Sequence, residues 1–305
     1  MTTAFVFTGQ GSQFAGMGRA LAEAFPVARD TFAAADEALG EPLSRLCFEG
    51  PEEALALTAN TQPATLAVSV AAFRALAALP DLAAGHSLGE YSALTAAGSF
   101  DFAAALRLVR ARAVRMQDAV PAGAGGMVVL RKFDADAARE LAAKVTSGVC
   151  DVANYNAPGQ IVLSGSAAAM DEVMKLVGPR GGLRLKVSVP FHSSMLRDAA
   201  DGFAVELRQV AMRDPAFPIY CNVDAVPVRD AAAARDALAR QFAASVLWQG
   251  SVERMLQDGV RRFVEFCPKP TLAKMSGQIA AHAGIDGVET DAVCTPEDVA
   301  RVGGA

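Results

Sequence analysis

Short apolar runs alternate with longer amphipathic stretches along the N-terminal third of the chain. Ala4–Phe7 is a continuous apolar run, followed by the glycine loop Thr8–Ser12 and then by an amphipathic stretch. This order predicts a buried strand, a tight loop and a helix. Further helices are predicted where apolar residues recur at helical spacing, at Ala28–Leu39, Glu52–Leu57, Pro63–Ala78 and Tyr91–Ala97.

The middle of the chain changes to a denser strand pattern. Strands are predicted at Met127–Leu130, Val149–Asn154, Gln160–Ser164 and Leu183–Val189, with helices at Asp134–Lys144 and Ala167–Val177. The order βαββαβ is typical of a ferredoxin-like unit. A glycine-rich break precedes it and Pro190 follows it. We therefore predict an α/β protein in which residues 126–190 form a small subdomain, inserted into a large one made of residues 1–125 and 191–305.

Composition narrows the functional classes. The 305 residues are 52% hydrophobic and carry a formal net charge of −5 without a dense Lys/Arg run, which argues against nucleic-acid binding. The five cysteines lie far apart with no C-x-x-C spacing, so we expect no disulfide framework, no metal site and a reducing, cytoplasmic compartment. We also expect no membrane segment and no secretory leader, because the sequence has neither pattern.

Gly85-His86-Ser87-Leu88-Gly89 has the G-x-S-x-G pattern of a nucleophile elbow. Such a serine lies on a sharp turn between a strand and a helix, and the sequence around it predicts a strand before and a helix after. The turn also directs the backbone N–H of Leu88 toward an oxyanion. The alternative is an ordinary serine in a turn.

A serine nucleophile needs a base, and the chain contains only three histidines. His86 adjoins Ser87, so its side chain should point elsewhere. His282, with Asp224, would satisfy the chain order Ser, Asp, His of an α/β-hydrolase. His192 follows the predicted end of the small subdomain, where clefts form. The residues alone leave His192 and His282 as competing candidates.

Several motifs together carry a family resemblance. They are FVFTGQGSQ near the start, TQPA at 61–64, AGHSLGEYSAL at 84–94, NYNAPGQIVLSG at 154–165 and SVPFHSSM at 188–195. In this order they resemble the malonyl-CoA:acyl carrier protein transacylases, relatives of the acyltransferase domains of fatty acid and polyketide synthases. The similarity runs from residue 4 to about residue 275. It implies an α/β-hydrolase-like core with an inserted ferredoxin-like small subdomain.

The resemblance also assigns roles. It implies ping-pong transfer of malonyl from malonyl-CoA, through an acyl-serine, to the phosphopantetheine thiol of an acyl carrier protein, with no cofactor and no metal. The implied residues are Ser87 as nucleophile, His192 as base, Gln10 and Leu88 as oxyanion hole, and Arg112, Met116 and Phe191 as substrate-binding residues. A bulky residue at Phe191 matches malonyl-selective relatives, in which it crowds an α-methyl branch. We expect a monomer.

The helical pattern around Arg112 agrees with a role inside a cleft. The apolar stripe of this helix consists of Leu106, Val109, Ala113, Met116 and Val120. Among the neighbouring arginines, Arg112 lies nearest the centre of the stripe, at about 70°. A guanidinium in a cleft favours a carboxylate partner, which its planar fork binds through two hydrogen bonds. The alternative is a row of arginines on a solvated face.

The chain departs from the family pattern at three places. Thr8 stands where the family has proline, which we expect to loosen the first loop. Leu247 stands where relatives carry Gln or Arg, at a position whose backbone carbonyl is expected to orient the histidine. Cys267-Pro268-Lys269-Pro270 replaces a glycine-rich turn.

Three other functions remain open from the sequence. One is an esterase or thioesterase with the same elbow, and another is the malonyl transferase subunit of a malonate decarboxylase. The third is a docking protein without catalysis.

The carrier proteins that serve this family are acidic, and this chain is acidic as well. Docking of a carrier therefore requires a local basic patch. Two clusters are candidates: Lys175, Arg180, Arg184 and Lys186, and Arg261, Arg262, Lys269 and Lys274.

Overall fold

The computed structural model describes residues 1–187 and 189–304, and these residues form a mixed α/β protein with two sheets. Ser188, which belongs to the predicted strand Leu183–Val189 and to the motif at 188–195, lies outside the described residues. The strands are β1 (Thr2–Phe7), β2 (Leu82–Gly85), β3 (Gly125–Arg131), β4 (Cys150–Ala157), β5 (Gln160–Ser166), β6 (Gly182–Arg184), β7 (Ile219–Tyr220), β8 (Pro227–Val228), β9 (Val260–Phe266) and β10 (Glu289–Val293).

The helices lie between and around these strands. They are α1 (Arg19–Ala24), α2 (Pro26–Leu39), α3 (Leu43–Glu49), α4 (Glu52–Leu55), α5 (Thr58–Leu76), α6 (Leu88–Ala96), α7 (Phe102–Asp118), α8 (Ala135–Lys144), α9 (Ala167–Gly181), α10 (Arg197–Gln209), α11 (Ala231–Gln241), α12 (Trp248–Gln257), α13 (Leu272–His282) and α14 (Pro296–Gly303). Among the described residues, none of these helices has the length and apolar character that a membrane crossing requires.

The large sheet has the strand order β10-β9-β1-β2-β7-β8, and only β8 runs antiparallel to its neighbour. In the central pair, Phe7 of β1 lies opposite Gly85 of β2. Ligands of open α/β sheets bind beyond the carboxyl ends of the strands. The serine turn that follows Gly85 therefore lies at the edge of the sheet where a site is expected.

Helix α5 is largely buried and packs against α2 and α7. It begins at Thr58 rather than at Pro63, because the Leu57 carbonyl already accepts the N–H groups of Asn60 and Thr61, both at 2.8 Å. Beside it, the rings of Phe5, Phe7, Phe73 and Phe266 pack with centroids between 4.9 and 6.2 Å apart. This core holds β1 and its following loop in place.

The small sheet is antiparallel, with the order β4-β5-β3-β6, and its elements follow the chain order βαββαβ. Its last strand is shorter than the predicted Leu183–Val189. Among the described residues that follow Arg184, the N–H of Leu185 still bonds to β3, at the Met127 carbonyl. The chain then leaves the sheet, and Lys186 and Val187 line a cavity instead.

Strand β4 joins the small sheet to the large part of the molecule. Tyr155 N–H donates to the Val246 carbonyl at 2.9 Å, and Val246 N–H donates to the Ala153 carbonyl at 2.8 Å. Ser245 Oγ also donates to the Val152 carbonyl at 2.6 Å. These backbone contacts fix the small sheet beside the segment that follows α11.

The segment Cys267–Pro270 packs against both ends of the chain. Cys267 is buried, and its Sγ lies 3.1 Å from Sγ of Cys294, which follows β10; both cysteines are free thiols. Lys269 Nζ lies 4.4 Å from the centroid of the Phe14 ring. The residues that replace the glycine-rich turn thus contact Cys294, just after β10, and Phe14, just after the first loop.

Candidate active site

Ser87 occupies a strained turn between β2 and α6. Its φ is 52° and its ψ is −106°, which is costly for a residue with a Cβ atom. The flanking glycines permit the turn: a Cβ on Gly85 would lie 1.9 Å from the carbonyl carbon of Gly89, and one on Gly89 would lie 1.9 Å from the Phe7 carbonyl oxygen. The G-x-S-x-G spacing is therefore a steric requirement of this turn.

His192 lies beside the serine, with Nε2 2.7 Å from Ser87 Oγ. Its Nδ1 is 3.1 Å from the Gln241 carbonyl and 3.0 Å from the Ala244 carbonyl. Two carbonyl acceptors require a proton on Nδ1, which leaves Nε2 free to accept the serine proton. Burial, and then the charge of Arg112, lower the pKa of His192 to about 3, so the ring is neutral at ordinary pH.

The carbonyl that orients the histidine was wrongly expected at Leu247. The Leu247 carbonyl instead accepts the N–H and Oγ–H of Ser251 at the start of α12. Gln241 is the last residue of α11, and helix ends leave backbone carbonyls without partners inside the helix. The Gln241 carbonyl at the end of α11, and the Ala244 carbonyl three residues beyond it, can accept the imidazole proton.

The competing histidine is not part of this arrangement. His282 is exposed at the end of α13. The carboxylate of Asp224 is bound by Arg240 through two hydrogen bonds, at 2.9 and 2.6 Å. The structure therefore does not assemble Ser87, Asp224 and His282. His86 bonds to Asn156 Oδ1 at 2.8 Å and so points toward the small sheet.

Arg112 is fully buried and extends from α7 to the serine. Its Nη2 donates to Ser87 Oγ at 3.0 Å and to Gln241 Oε1 at 2.9 Å, and its Nη1 donates to Gln62 Oε1 at 2.6 Å. Its guanidinium carbon also lies 5.2 Å from the centroid of the Tyr91 ring. The arginine is therefore held rigidly beside the nucleophile rather than on a solvated face.

Gln10 and Leu88 line the same cavity as Ser87. Leu88 is the first residue of α6, so its N–H has no partner inside the helix. Within the ranges 1–187 and 189–304, neither this N–H nor that of Gln10 donates to a protein acceptor. The side chain of Gln10 is fixed by Thr58, whose hydroxyl donates to Gln10 Oε1 at 2.6 Å. An oxyanion can receive both N–H groups.

Thr8, which was expected to loosen this loop, forms a backbone contact there. It is buried, and its N–H donates to the Phe266 carbonyl at 3.4 Å, a bond that proline has no hydrogen to make. The substitution therefore adds a contact between the first loop and β9.

These groups line one cavity of about 380 Å³ between the large and small sheets. One wall carries Gln10, Ser87, Leu88, Arg112 and His192, and the small sheet contributes the apolar side chains of Met127, Val129 and Val162. Phe191 also lines it. Met116, expected to bind substrate, is not among the lining residues: Gln62 Nε2 lies 3.7 Å from its sulfur, and Gln62 lines the cavity. Among the described residues, no cluster of His, Cys, Asp or Glu could hold a metal ion.

Sequence reasoning missed two side chains that hold the elbow. Asn222 Oδ1 accepts the Ser87 N–H at 2.7 Å, and its Nδ2 donates to the Gly85 carbonyl, also at 2.7 Å. Gln241 Nε2 donates to the Ser87 carbonyl at 3.0 Å. Asn222 follows β7 at the carboxyl edge of the sheet, and this position is the one feature of the sequence that could have indicated its role.

Comparison with known proteins identifies the family of this chain. A family model of the acyl transferase domain matches residues 4–294. The malonyl CoA-acyl carrier protein transacylase of Salmonella typhimurium is 43% identical over 284 residues, which cover 90% of this chain and 92% of that protein. The crystal structure of an acyl-carrier-protein S-malonyltransferase from Burkholderia pseudomallei has a TM-score of 0.95 at 39% identity and is covered, like this chain, to 100%.

A further solved structure is similar over nearly its whole length. It is a malonyl-transacylase in complex with its type II PKS acyl-carrier protein, with a TM-score of 0.93 at 39% identity and a match that covers 98% of each chain. The chain thus belongs to the acyl transferase family, among the malonyl-CoA:acyl carrier protein transacylases.

Proposed function

We propose that this protein transfers a malonyl group from malonyl-CoA to the phosphopantetheine thiol of an acyl carrier protein. One observation carries the proposal: Ser87 Oγ lies 2.7 Å from His192 Nε2 and 3.0 Å from Arg112 Nη2 inside one cavity. A neutral base and a cation suited to a carboxylate thus both contact the nucleophilic oxygen of Ser87. The names of the similar proteins describe the same transfer.

In the first half-reaction His192 Nε2 takes the proton of Ser87 Oγ as Oγ attacks the thioester carbonyl. The carbonyl oxygen becomes an oxyanion, which the N–H groups of Gln10 and Leu88 stabilise. The C–S bond then breaks, and the imidazolium returns the proton to the departing sulfur. Malonyl remains on Ser87 as an ester, and coenzyme A leaves.

The second half-reaction reverses these steps with a different thiol. The phosphopantetheine thiol gives its proton to His192 and attacks the ester carbonyl. The bond to Ser87 Oγ breaks, and Oγ recovers the proton. The carbonyls of Gln241 and Ala244 stabilise the imidazolium that forms in each half-reaction, because they accept its Nδ1–H.

Arg112 gives the site its preference for acyl groups with a free carboxylate. In the resting site one of its N–H groups is directed at Ser87 Oγ. A malonyl carboxylate can replace that hydroxyl as acceptor and form a charge-assisted bond. Phe191 lines the cavity and packs against the apolar face of the small sheet. Its bulk at this place is the proposed barrier to an α-methyl branch.

A hydrolase for neutral acyl groups fits this cavity less well. Arg112 is 1% exposed, and a neutral acyl chain would give its charge no counter-ion. The test is to acylate the protein with labelled malonyl-CoA and then add buffer, free thiol or phosphopantetheinylated carrier. Transfer predicts release onto the carrier much faster than into buffer. Equal release rates would support the hydrolase.

We infer the finer architecture on the same basis. The order βαββαβ and the strand order of the small sheet support a ferredoxin-like subdomain at residues 126–190. The mostly parallel sheet and the serine elbow support an α/β-hydrolase-like large subdomain at residues 1–125 and 191–305. A cytoplasmic monomer stays a prediction.

The small-subdomain cluster of basic residues is the better candidate for carrier docking. Lys175, Arg180, Arg184 and Lys186 are all exposed. Two exposed leucines, Leu176 at 55% and Leu183 at 48%, belong to the same stretch of the chain. Arg184 pairs with Asp171, and Lys186 lines the cavity. In the other cluster Lys269 and Lys274 are exposed, but Arg261 bonds to backbone carbonyls and Arg262 pairs with Asp291 at 3.3 Å.

A further inference from the structure

A buried carboxylate lies directly beneath the serine elbow. Glu90 stands in the first turn of α6, three positions after Ser87, and is 1% exposed. Its Oε2 accepts the backbone N–H of Asn222 and the Nε2–H of Gln241, both at 2.9 Å. Neither Asn222 nor Gln241 is near Glu90 in sequence, so the carboxylate joins three separate segments.

Both partners of Glu90 hold the reacting residues. The Asn222 side chain bridges the Ser87 N–H and the Gly85 carbonyl. Gln241 contacts both members of the pair, because its Nε2 donates to the Ser87 carbonyl and its own carbonyl accepts the His192 Nδ1–H. One carboxylate therefore fixes the supports of the nucleophile and of the base together.

We propose that Glu90 is a positioning residue of the transfer reaction, whose ionised carboxylate sets the 2.7 Å contact between Ser87 and His192 through Asn222 and Gln241. This inference rests on the proposed function. Packing alone does not require a carboxylate, since burying one is costly. Hydrogen bonds to a charged acceptor are shorter and stronger than neutral ones, which suits a group that must hold two supports in register.

The groups around Glu90 set the pH at which it ionises. Burial raises the pKa of Glu90 to about 7, and the charge of Asp224 adds to this, whereas the N–H donors and Arg112 oppose it. The neighbouring Tyr91 and Cys221 have raised pKa values and stay neutral there. Glu90 is therefore ionised above about pH 7 and protonated below it.

The histidine titrates elsewhere. The pKa of His192 is lowered to about 3 by burial and by Arg112, so the base is already neutral across the range in which Glu90 ionises. Activity should consequently rise with pH through about 7 because Glu90 loses its proton. This rising limb of the pH profile should disappear when Glu90 is replaced by an uncharged residue. A purely structural role would not create such a limb.

The test compares the parent with Glu90→Gln, and uses Glu265→Gln as a matched control. Glu265 is also a fully buried carboxylate with a raised pKa, but it accepts the N–H groups of Thr271 and Ala273 at the start of α13, outside the cavity. The probe is an alkyl fluorophosphonate, which phosphonylates Ser87 Oγ with loss of fluoride and of the serine proton. It has no carboxylate, so its reaction does not require an ion pair with Arg112.

Phosphonylation rates are measured from pH 5.5 to 9, beside malonyl transfer at the same pH values. We expect the parent rate to rise through about pH 7, and Glu90→Gln to be about 10- to 100-fold slower at pH 8 with a flat profile. The KM for malonyl-CoA should change much less than kcat. Glu265→Gln should keep the limb of the parent.

Three outcomes would overturn the inference. They are a Glu90→Gln variant with the parent rate at pH 8, a rise with pH that persists in that variant, and a parent profile that is flat from pH 5.5 to 9. The last needs no variant and so remains decisive if Glu90→Gln does not fold. Failure of the proposed function is distinct: Ser87 would react with the fluorophosphonate in a Glu90-dependent manner, yet form no ester with malonyl-CoA.

Discussion

Replacing Arg112 by alanine should reverse the acyl preference of the site. The guanidinium is buried, and three of its N–H bonds reach Gln62, Ser87 and Gln241 at 2.6–3.0 Å. In Arg112→Ala a malonyl carboxylate would enter the same desolvated space without a cation. Leaving such a charge unpaired costs about 2–5 kcal/mol, which corresponds to a loss of about 30- to 4,000-fold in kcat/KM for malonyl-CoA.

An acetyl group carries no carboxylate, so its transfer does not incur this loss. The assay measures kcat/KM for malonyl-CoA and acetyl-CoA with the same carrier, in the parent, in Arg112→Ala and in Arg107→Ala. Arg107 lies on the same helix but is exposed, which makes it the matched control. Acetyl transfer should be retained or increased in Arg112→Ala, and Arg107→Ala should resemble the parent.

The reasoning would be refuted if Arg112→Ala used malonyl-CoA as well as the parent. An equal loss for both acyl groups would also contradict it, because it would indicate damage to the elbow. That damage is checked independently by the rate of Ser87 phosphonylation. Gln62 and Gln241 lose a hydrogen-bond donor in this variant, at a cost of about 1–3 kcal/mol each if they stay unpaired, so its melting temperature is measured beside its activity.

The other predictions concern the base, the branch selectivity and the carrier. His192→Ala should slow malonylation of Ser87 by about 10²- to 10⁴-fold in a stopped-flow assay, while His282→Ala should not; the reverse pattern would favour the hydrolase. Phe191→Ser should raise the kcat/KM for methylmalonyl-CoA relative to malonyl-CoA by about tenfold or more, since a methyl group in a closed pocket is worth about 1–3 kcal/mol. Reversing the charges of Lys175 and Arg180 should raise the KM for the carrier several-fold at low salt. Malonylation of Ser87 should stay within about twofold in that variant, and an equal loss in both half-reactions would reject the docking surface.

Local geometry explains which parts of the site could be predicted from the sequence. The elbow was predictable because its steric requirement is met by neighbours in the chain, Gly85 and Gly89 around Ser87. The burial of Arg112 followed from helical spacing, since the stripe on α7 faces the core. The choice between His192 and His282 was not available from the residues alone and depended on the family resemblance.

Long-range contacts account for what was missed. Asn222 and Gln241 contact Ser87 across 135 and 154 positions of the chain, and no local pattern marks such a pair. The same holds for the carbonyls that orient His192, which belong to the end of α11 rather than to Leu247. The last strand of the small sheet ended early because its continuation lines the cavity, which alternation of apolar residues does not reveal.

The most direct test of the central claim follows one malonyl group through both half-reactions by intact-protein mass spectrometry. The parent, exposed briefly to malonyl-CoA, should gain one malonyl mass on the peptide that contains Ser87, and a stoichiometric amount of phosphopantetheinylated carrier should then remove it and gain the same mass. Ser87→Ala should gain nothing and transfer nothing. Transfer to the carrier without an intermediate on Ser87, or an ester that only water removes, would contradict the account.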